Sequence, residues 1–139
     1  MKYKIGYVPG TFDLFHIGHL NVIRKAKDMC EYLICTVSTD ELVAENKHKK
    51  PIVPFEERID IVRAIRYVDE AVPQTNQDKL LQWHQYKYNA IFVGDDLKDT
   101  PKWLLYEQQL KPHGVEFIYF AYTTDTSSTL LLEKLSQLE

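Results

Sequence analysis

Two histidines stand in the short string His16-Ile17-Gly18-His19. Each imidazole can donate a hydrogen bond to a phosphate oxygen, and a protonated one would also offset charge that builds up in a transition state. Just before them runs Pro9-Gly10-Thr11-Phe12-Asp13, where Gly10 allows backbone to approach a ligand closely. A basic run, Asn46-Lys47-His48-Lys49-Lys50, offers cations for a polyphosphate; the competing reading of such a run is a solvated tether. Farther along stand Gly94-Asp95-Asp96 and the hydroxyls of Thr126-Ser127-Ser128-Thr129. Hydroxyls at a helix start make a phosphate cradle with the free N–H groups there. Adjacent carboxylates on a turn tend to point apart, so no protein-held metal is expected at Asp95 and Asp96. The two cysteines, Cys30 and Cys35, are too few for a disulfide framework or a four-ligand zinc site, and are expected as buried thiols.

These groups need elements to position them, and the apolar pattern supplies a regular alternation. Runs rich in Ile, Val and aromatic residues predict strands over 4–8, 32–37, 70–72, 90–93 and 115–121. Helical spacing predicts helices over 18–29, 54–67, 78–86, 101–110 and 127–138, with Pro54 and Ser127 as start signals. Alternating strands and helices specify right-handed βαβ units, and hence an α/β fold: a Rossmann-like, doubly wound, parallel five-stranded sheet with helices on both faces. Ligands in such sheets sit beyond the carboxyl ends of the strands. The loops there are 9–18, 38–54, 94–100 and 122–127, which hold nearly all the groups named above.

The 139 residues suit a single domain over 1–139. Hydrophobic residues make up 45% and charged ones 27%, which excludes a disordered or collagen-like chain. Seventeen Lys+Arg against twenty Asp+Glu give a net charge of -3, so no nucleic-acid partner is expected. The longest apolar runs, 117–121 and 130–132, fall far short of the roughly 20 residues that span a bilayer. With no secretory signal pattern at the N-terminus, a cytoplasmic protein without membrane insertion is expected.

The strings Gly10-Thr11-Phe12-Asp13 and His16-Ile17-Gly18-His19 resemble the signature of the nucleotidylyltransferase superfamily, and within it the small bacterial cytidylyltransferases acting on glycerol 3-phosphate. The likeness continues through Ser38-Thr39-Asp40-Glu41, the lysine run, Arg66-Tyr67-Val68-Asp69-Glu70, Gly94-Asp95-Asp96 and the hydroxyls at 126–129. It implies transfer of CMP from CTP to a small polyol phosphate by in-line attack on the α-phosphate. The products would be a CDP-alcohol, feeding teichoic-acid or capsule synthesis, and pyrophosphate. It further implies Mg2+ carried in with CTP, and a homodimer.

By that resemblance, His16, His19, Lys47 and Lys49 carry catalysis, with Lys50 a competing partner for phosphate. Gly10, Thr11, Phe12, Gly18, Gly94, Asp95, Ser127, Ser128 and Thr129 hold the nucleotide. Arg66, Asp13, Asp40 and Tyr122 fall on the acceptor side, although an Asp13 carboxylate repels phosphate and reads better as a brace of its loop. Arg58 matches a family arginine, against a reading as a surface or interface ion pair. Tyr122 and Asp125 depart from the arginine and glycine common in the glycerol-3-phosphate enzymes, which puts the acceptor in question. The alternatives are phosphocholine or phosphoethanolamine as acceptor, and a nucleotide-binding module without catalysis.

Overall fold

The computed structural model describes residues 2–121 and 128–138. Tyr122, Asp125 and Ser127 lie outside the described residues, as do the side chains of Ser128 and Thr129. Five strands, β1 (Tyr3–Gly10), β2 (Cys30–Ser38), β3 (Glu70–Gln74), β4 (Ala90–Gly94) and β5 (Glu116–Phe120), form one sheet in the order β3-β2-β1-β4-β5. Every neighbouring pair is parallel. The chain lays strands outward from β1 to β3, then returns to add β4 and β5 on the other side. Strand order therefore reverses between β1 and β4, and the crevice at their carboxyl ends, Gly10 and Gly94, is where such a sheet binds ligands.

Six helices are described: α1 (Ile17–Asp28), α2 (Asp40–Lys47), α3 (Phe55–Arg63), α4 (Lys79–Tyr86), α5 (Pro101–Leu110) and α6 (Ser128–Gln137). Ile23 and Ala26 of α1 and Ile59 and Val62 of α3 bury against Val8, Leu33, Cys35 and Phe92 on one face of the sheet. Trp103, Tyr106 and Leu110 of α5 cover Tyr7, Ile34, Ile91 and Val93 on the other. Because both faces are covered, the inner strands read as unbroken apolar runs rather than alternating ones. Close approach has one strict requirement at Gly6: a Cβ there would meet Cys30 Sγ at 2.7 Å and the Phe92 ring at 2.8 Å. Both cysteines are buried free thiols, as expected.

Three elements differ from the expected pattern. The stretch 38–54 is not all loop, because Thr39 caps α2: its Oγ1 accepts from Leu42 N at 3.2 Å, Asp40 and Glu41 favour the positive end, and Leu42 and Val43 are buried. Helix α3 stops at Arg63 rather than running to Tyr67. Its last bonds tighten to three-residue steps (Ile65 N to Val62 O, Val68 N to Ile65 O), which turn the chain so that Asp69 N reaches Leu33 O. Finally, β3 continues through Pro73 to Gln74, which a proline permits only on an edge strand such as this one. Among the described residues no helix is long and apolar enough to cross a membrane.

Candidate active site

A cleft of about 710 Å³ opens at the switch point. Its floor is the end of β1 and the loop that follows, through Gly10, Thr11, Phe12 and Asp13, together with Gly94 at the end of β4. His16, Gly18 and His19 border it from the start of α1, and Lys47, Lys49 and Lys50 from the end of α2 and beyond. Apolar side chains complete the wall, among them Val22, Val43, Ile52, Leu97 and Leu132.

The spacing of the two histidines follows from helix geometry. His16 is the N-cap of α1 with extended backbone, and its Nδ1 accepts from Gly18 N at 3.0 Å. His19, three residues into the helix, returns the bond: its Nδ1 accepts from His16 N at 3.2 Å. This reciprocal capping box satisfies donors that a helix start otherwise leaves unpaired. It also fixes the tautomers, because a nitrogen that accepts an N–H carries no hydrogen. In the neutral ring the hydrogen sits on Nε2, so both histidines are donors through that atom. The rings lie 3.9 Å apart between centroids. Burial, reinforced by the nearby His16 and opposed by Asp13, holds the His19 pKa down at about 3. Burial alone lowers that of His16. The pair therefore presents uncharged donors at neutral pH, not the imidazolium ions that the sequence left open.

The loop ahead of the histidines is strained and firmly held. Phe12 (φ 57°) and Leu14 (φ 49°) are both left-handed, a conformation that costs a non-glycine residue roughly 1–3 kcal/mol. The Phe12 ring lies over Gly10, where a Cβ would come within 2.9 Å of it, and its edge meets the His19 ring at 5.4 Å. Two charged groups pin this loop. Asp13 accepts from Ile52 N at 2.8 Å and Val53 N at 2.9 Å, besides Leu14 N at 3.1 Å. Arg58, fully buried on α3, donates to Thr11 O at 2.6 Å, Ser38 O at 2.8 Å and Val53 O at 2.8 Å, and pairs with Asp40 at 2.7 Å.

These bonds place several expected site residues. Arg58 is no surface ion pair; it ties three segments together beneath the cleft. Asp40, placed on the acceptor side by the resemblance, is not among the cleft residues and holds Arg58 and Phe55 N. Asp13 borders the cleft and braces it at once. Arg66 stands apart: it is exposed, hydrogen-bonded to Tyr67 Oη at 2.9 Å, and outside the cleft, because α3 ends before it. Of the two adjacent carboxylates, Asp96 borders the cleft and Asp95 does not. The apolar walls carried no signal of their own, since Val22, Val43 and Leu132 look like any helix-face residues in sequence.

The comparisons agree with this architecture. The cytidylyltransferase-like family model matches residues 7–134. Glycerol-3-phosphate cytidylyltransferase of Staphylococcus aureus is 45% identical over 136 residues, 97% of this chain and 96% of that protein. FAD synthase of Thermococcus kodakarensis is 33% identical over 129 residues, covering 88% and 84%. Among solved structures, a lipopolysaccharide core biosynthesis protein from Thermoplasma volcanium superposes with a TM-score of 0.74 at 22% identity, covering 87% of this chain and 98% of that one. That likeness speaks for the fold alone. The paired histidine donors at the switch point and a match spanning nearly every element lead to one conclusion: the chain belongs to the cytidylyltransferase-like family and is a nucleotidyltransferase.

Proposed function

We propose that the protein transfers CMP from CTP to a small polyol phosphate, glycerol phosphate first among them, giving a CDP-alcohol and pyrophosphate. The observation that carries this reading is the capped histidine pair, two neutral rings that border the same cleft as Lys47, Lys49 and Lys50. An acceptor phosphate oxygen attacks the α-phosphorus in line as the bond to pyrophosphate breaks. Charge then spreads over the phosphoryl oxygens, and preorganised donors and cations stabilise it without covalent participation by the protein. Thr11 and the backbone at Gly10 and Gly94 lie where the nucleotide would rest. Mg2+ would be held chiefly by the triphosphate, keeping several waters, with the Asp96 carboxylate near enough to the cleft to receive one of them. The homodimer implied by the family resemblance belongs to the same reading.

The choice of acceptor draws support from the S. aureus glycerol-3-phosphate cytidylyltransferase, similar over nearly the whole chain. The FAD synthase relatives favour a second reading, in which AMP passes from ATP to FMN. One experiment separates them: pyrophosphate release from each of the four nucleoside triphosphates, with glycerol 3-phosphate, phosphocholine, phosphoethanolamine or FMN as acceptor. Release from CTP with glycerol 3-phosphate supports the proposal. Release confined to ATP with FMN overturns it, and none with any pair points to a binding module.

A further inference from the structure

Among the described residues only two charged side chains are buried, Arg58 and Lys79. Arg58 has a carboxylate and three carbonyls. Lys79, 2% exposed at the start of α4, makes no ion pair among the described residues. Its Nζ donates to Gln74 Oε1 at 3.1 Å and lies 5.5 Å from the centre of the Tyr106 ring. Burying a lone ammonium is costly, so a group kept in this state calls for a reason beyond packing.

The reason lies in what Gln74 holds. Its Nε2 donates to Ser38 Oγ at 3.4 Å, its Oε1 lies 3.1 Å from Thr36 Oγ1, and its backbone carbonyl accepts from Thr39 N at 3.1 Å. Thr39 is the N-cap of α2, the helix whose last residue, Lys47, borders the cleft. The carbonyl of Ser38, the neighbouring residue, takes one of the Arg58 bonds that lead on to Thr11. One amide side chain thus joins Lys79 to the segment that sets the direction of α2, and through Arg58 to the strained loop.

We propose that Lys79 is a positioning residue for the nucleotide phosphates: its ammonium fixes Gln74, Gln74 fixes the turn from β2 into α2, and α2 delivers Lys47. This role rests on the reading of the cleft as a nucleotide site. Substrate anions and the Lys79 proton should then be linked, each favouring the other. The groups around the ammonium leave it free to respond. Burial first, then the charge of Lys102 on α5, lower its pKa to about 7, with the adjacent Asp78 opposing. Tyr106 of α5 is pushed up to about 12 by burial, and burial also raises Tyr7 of β1 and Tyr88, whose Oη donates to Lys79 O; all three stay neutral in this range. Burial first, and then the charge of Lys47, lower the pKa of Lys102 in turn, so the cations form a series running toward the cleft.

The test compares the protein with Lys79→Met, which keeps the length of the side chain without its charge. CTP affinity is measured between about pH 7 and about pH 8.5, where phosphate groups with a pKa near 6 are already ionised. The low pKa values of His16 and His19 keep both rings neutral there. The unmodified protein should bind CTP about threefold more weakly at the upper pH, while Lys79→Met should be weak and flat throughout. In the absence of nucleotide, the amide resonances of Thr39 and Leu42 should titrate across the same range in the unmodified protein and stay still in the variant. A side chain that only fills space would leave both profiles unchanged. Binding of CTP with the same pH dependence in both proteins, or amides that do not follow Lys79, overturns this role alone. If the unmodified protein binds no CTP at any pH, the cytidylyl reading falls and this role with it.

Discussion

Of the segments that bring polar groups to the cleft, two are built on opposite plans. The loop from Gly10 to His19 is held from several sides: Asp13 takes three backbone N–H groups, Arg58 grips the Thr11 carbonyl, and the two histidines accept from the N–H groups of Gly18 and His16 at the helix start. The segment from Lys47 to Lys50 is exposed, follows a left-handed turn at His48 (φ 56°), and offers its ammonium groups to solvent. Donors aimed at a transition state gain from being fixed beforehand, since nothing then has to reorganise during reaction. Cations that gather a charged substrate tolerate more freedom, provided that the backbone carrying them is held beside the cleft. On the proposed reading the contrast divides labour: the first segment is fixed for the transfer step, while the second gathers the triphosphate and adds charge as the step proceeds.

The division is broken most severely at the histidines. Replacing His16 or His19 with Ala should lower kcat at least about a hundredfold, since a lost transition-state donor costs roughly 2.7–4 kcal/mol. His16→Asn separates the two roles of the residue. Asparagine is a good N-cap, so thermal unfolding should stay within about 1 kcal/mol of the original while turnover in the pyrophosphate assay still collapses. Full turnover in His16→Asn would reduce the histidine pair to a helix cap.

Arg58 comes next, and its effect should fall on stability. Arg58→Met strands three carbonyls and unpairs Asp40, for a loss of about 3 kcal/mol in urea unfolding. No lysine between 47 and 50 should match that. A third effect is tied to pH. His19 is neutral in the fold, while in the unfolded chain its pKa returns to about 6.5. As pH falls from about 6.5 toward 3, the unfolded state binds a proton that the folded state refuses, so stability drops by about 1.4 kcal/mol per pH unit from this residue. Unfolding free energies at neutral and mildly acidic pH should show that slope, and His19→Gln should lose it.

Lys47→Ala and Lys49→Ala should each raise the KM for nucleotide about tenfold and leave stability within about 0.5 kcal/mol. Their contribution should fade as salt is added, because exposed charges are screened. Lys87, above the Trp83 ring and away from the cleft, is the control, and Lys87→Ala should change nothing. Three lysine variants behaving alike would return the basic run to a solvated tether.

How much of this was legible beforehand depended on the kind of signal. The alternating strands and helices showed because both faces of the sheet are buried, and the histidine string showed because helix capping and phosphate donation demand the same spacing. Helix α2 is hard to see in the sequence although Thr39-Asp40-Glu41 is a proper cap, because the basic run after it gives the stretch the composition of a loop. Arg66 was drawn toward the cleft by its place in a matching string; only the early end of α3 shows it facing solvent. Resemblance alone singles out Arg58 and nothing in the sequence singles out Lys79, since their burial depends in part on distant residues such as Thr11 for the one and Tyr106 for the other.

Asp13 is where the two segments meet, and it sharpens the contrast most finely. Its carboxylate belongs to the histidine loop, yet two of the N–H groups it holds are those of Ile52 and Val53, just after the lysines. If it is a brace, Asp13→Asn weakens the hold of the first segment on the second, because an amide has one oxygen where the carboxylate had two. A loss of about 1–2 kcal/mol in stability is expected, the range for a weakened charge-assisted bond. The backbone that carries Lys49 and Lys50 would then be held less firmly beside the cleft. The KM for nucleotide and the KM for acceptor should rise together, by a few-fold each. If instead Asp13 binds the acceptor's hydroxyls, only the acceptor KM should move, and stability should hardly change. The ratio of the two KM changes decides between brace and ligand, since a shared displacement moves both and a lost contact moves one.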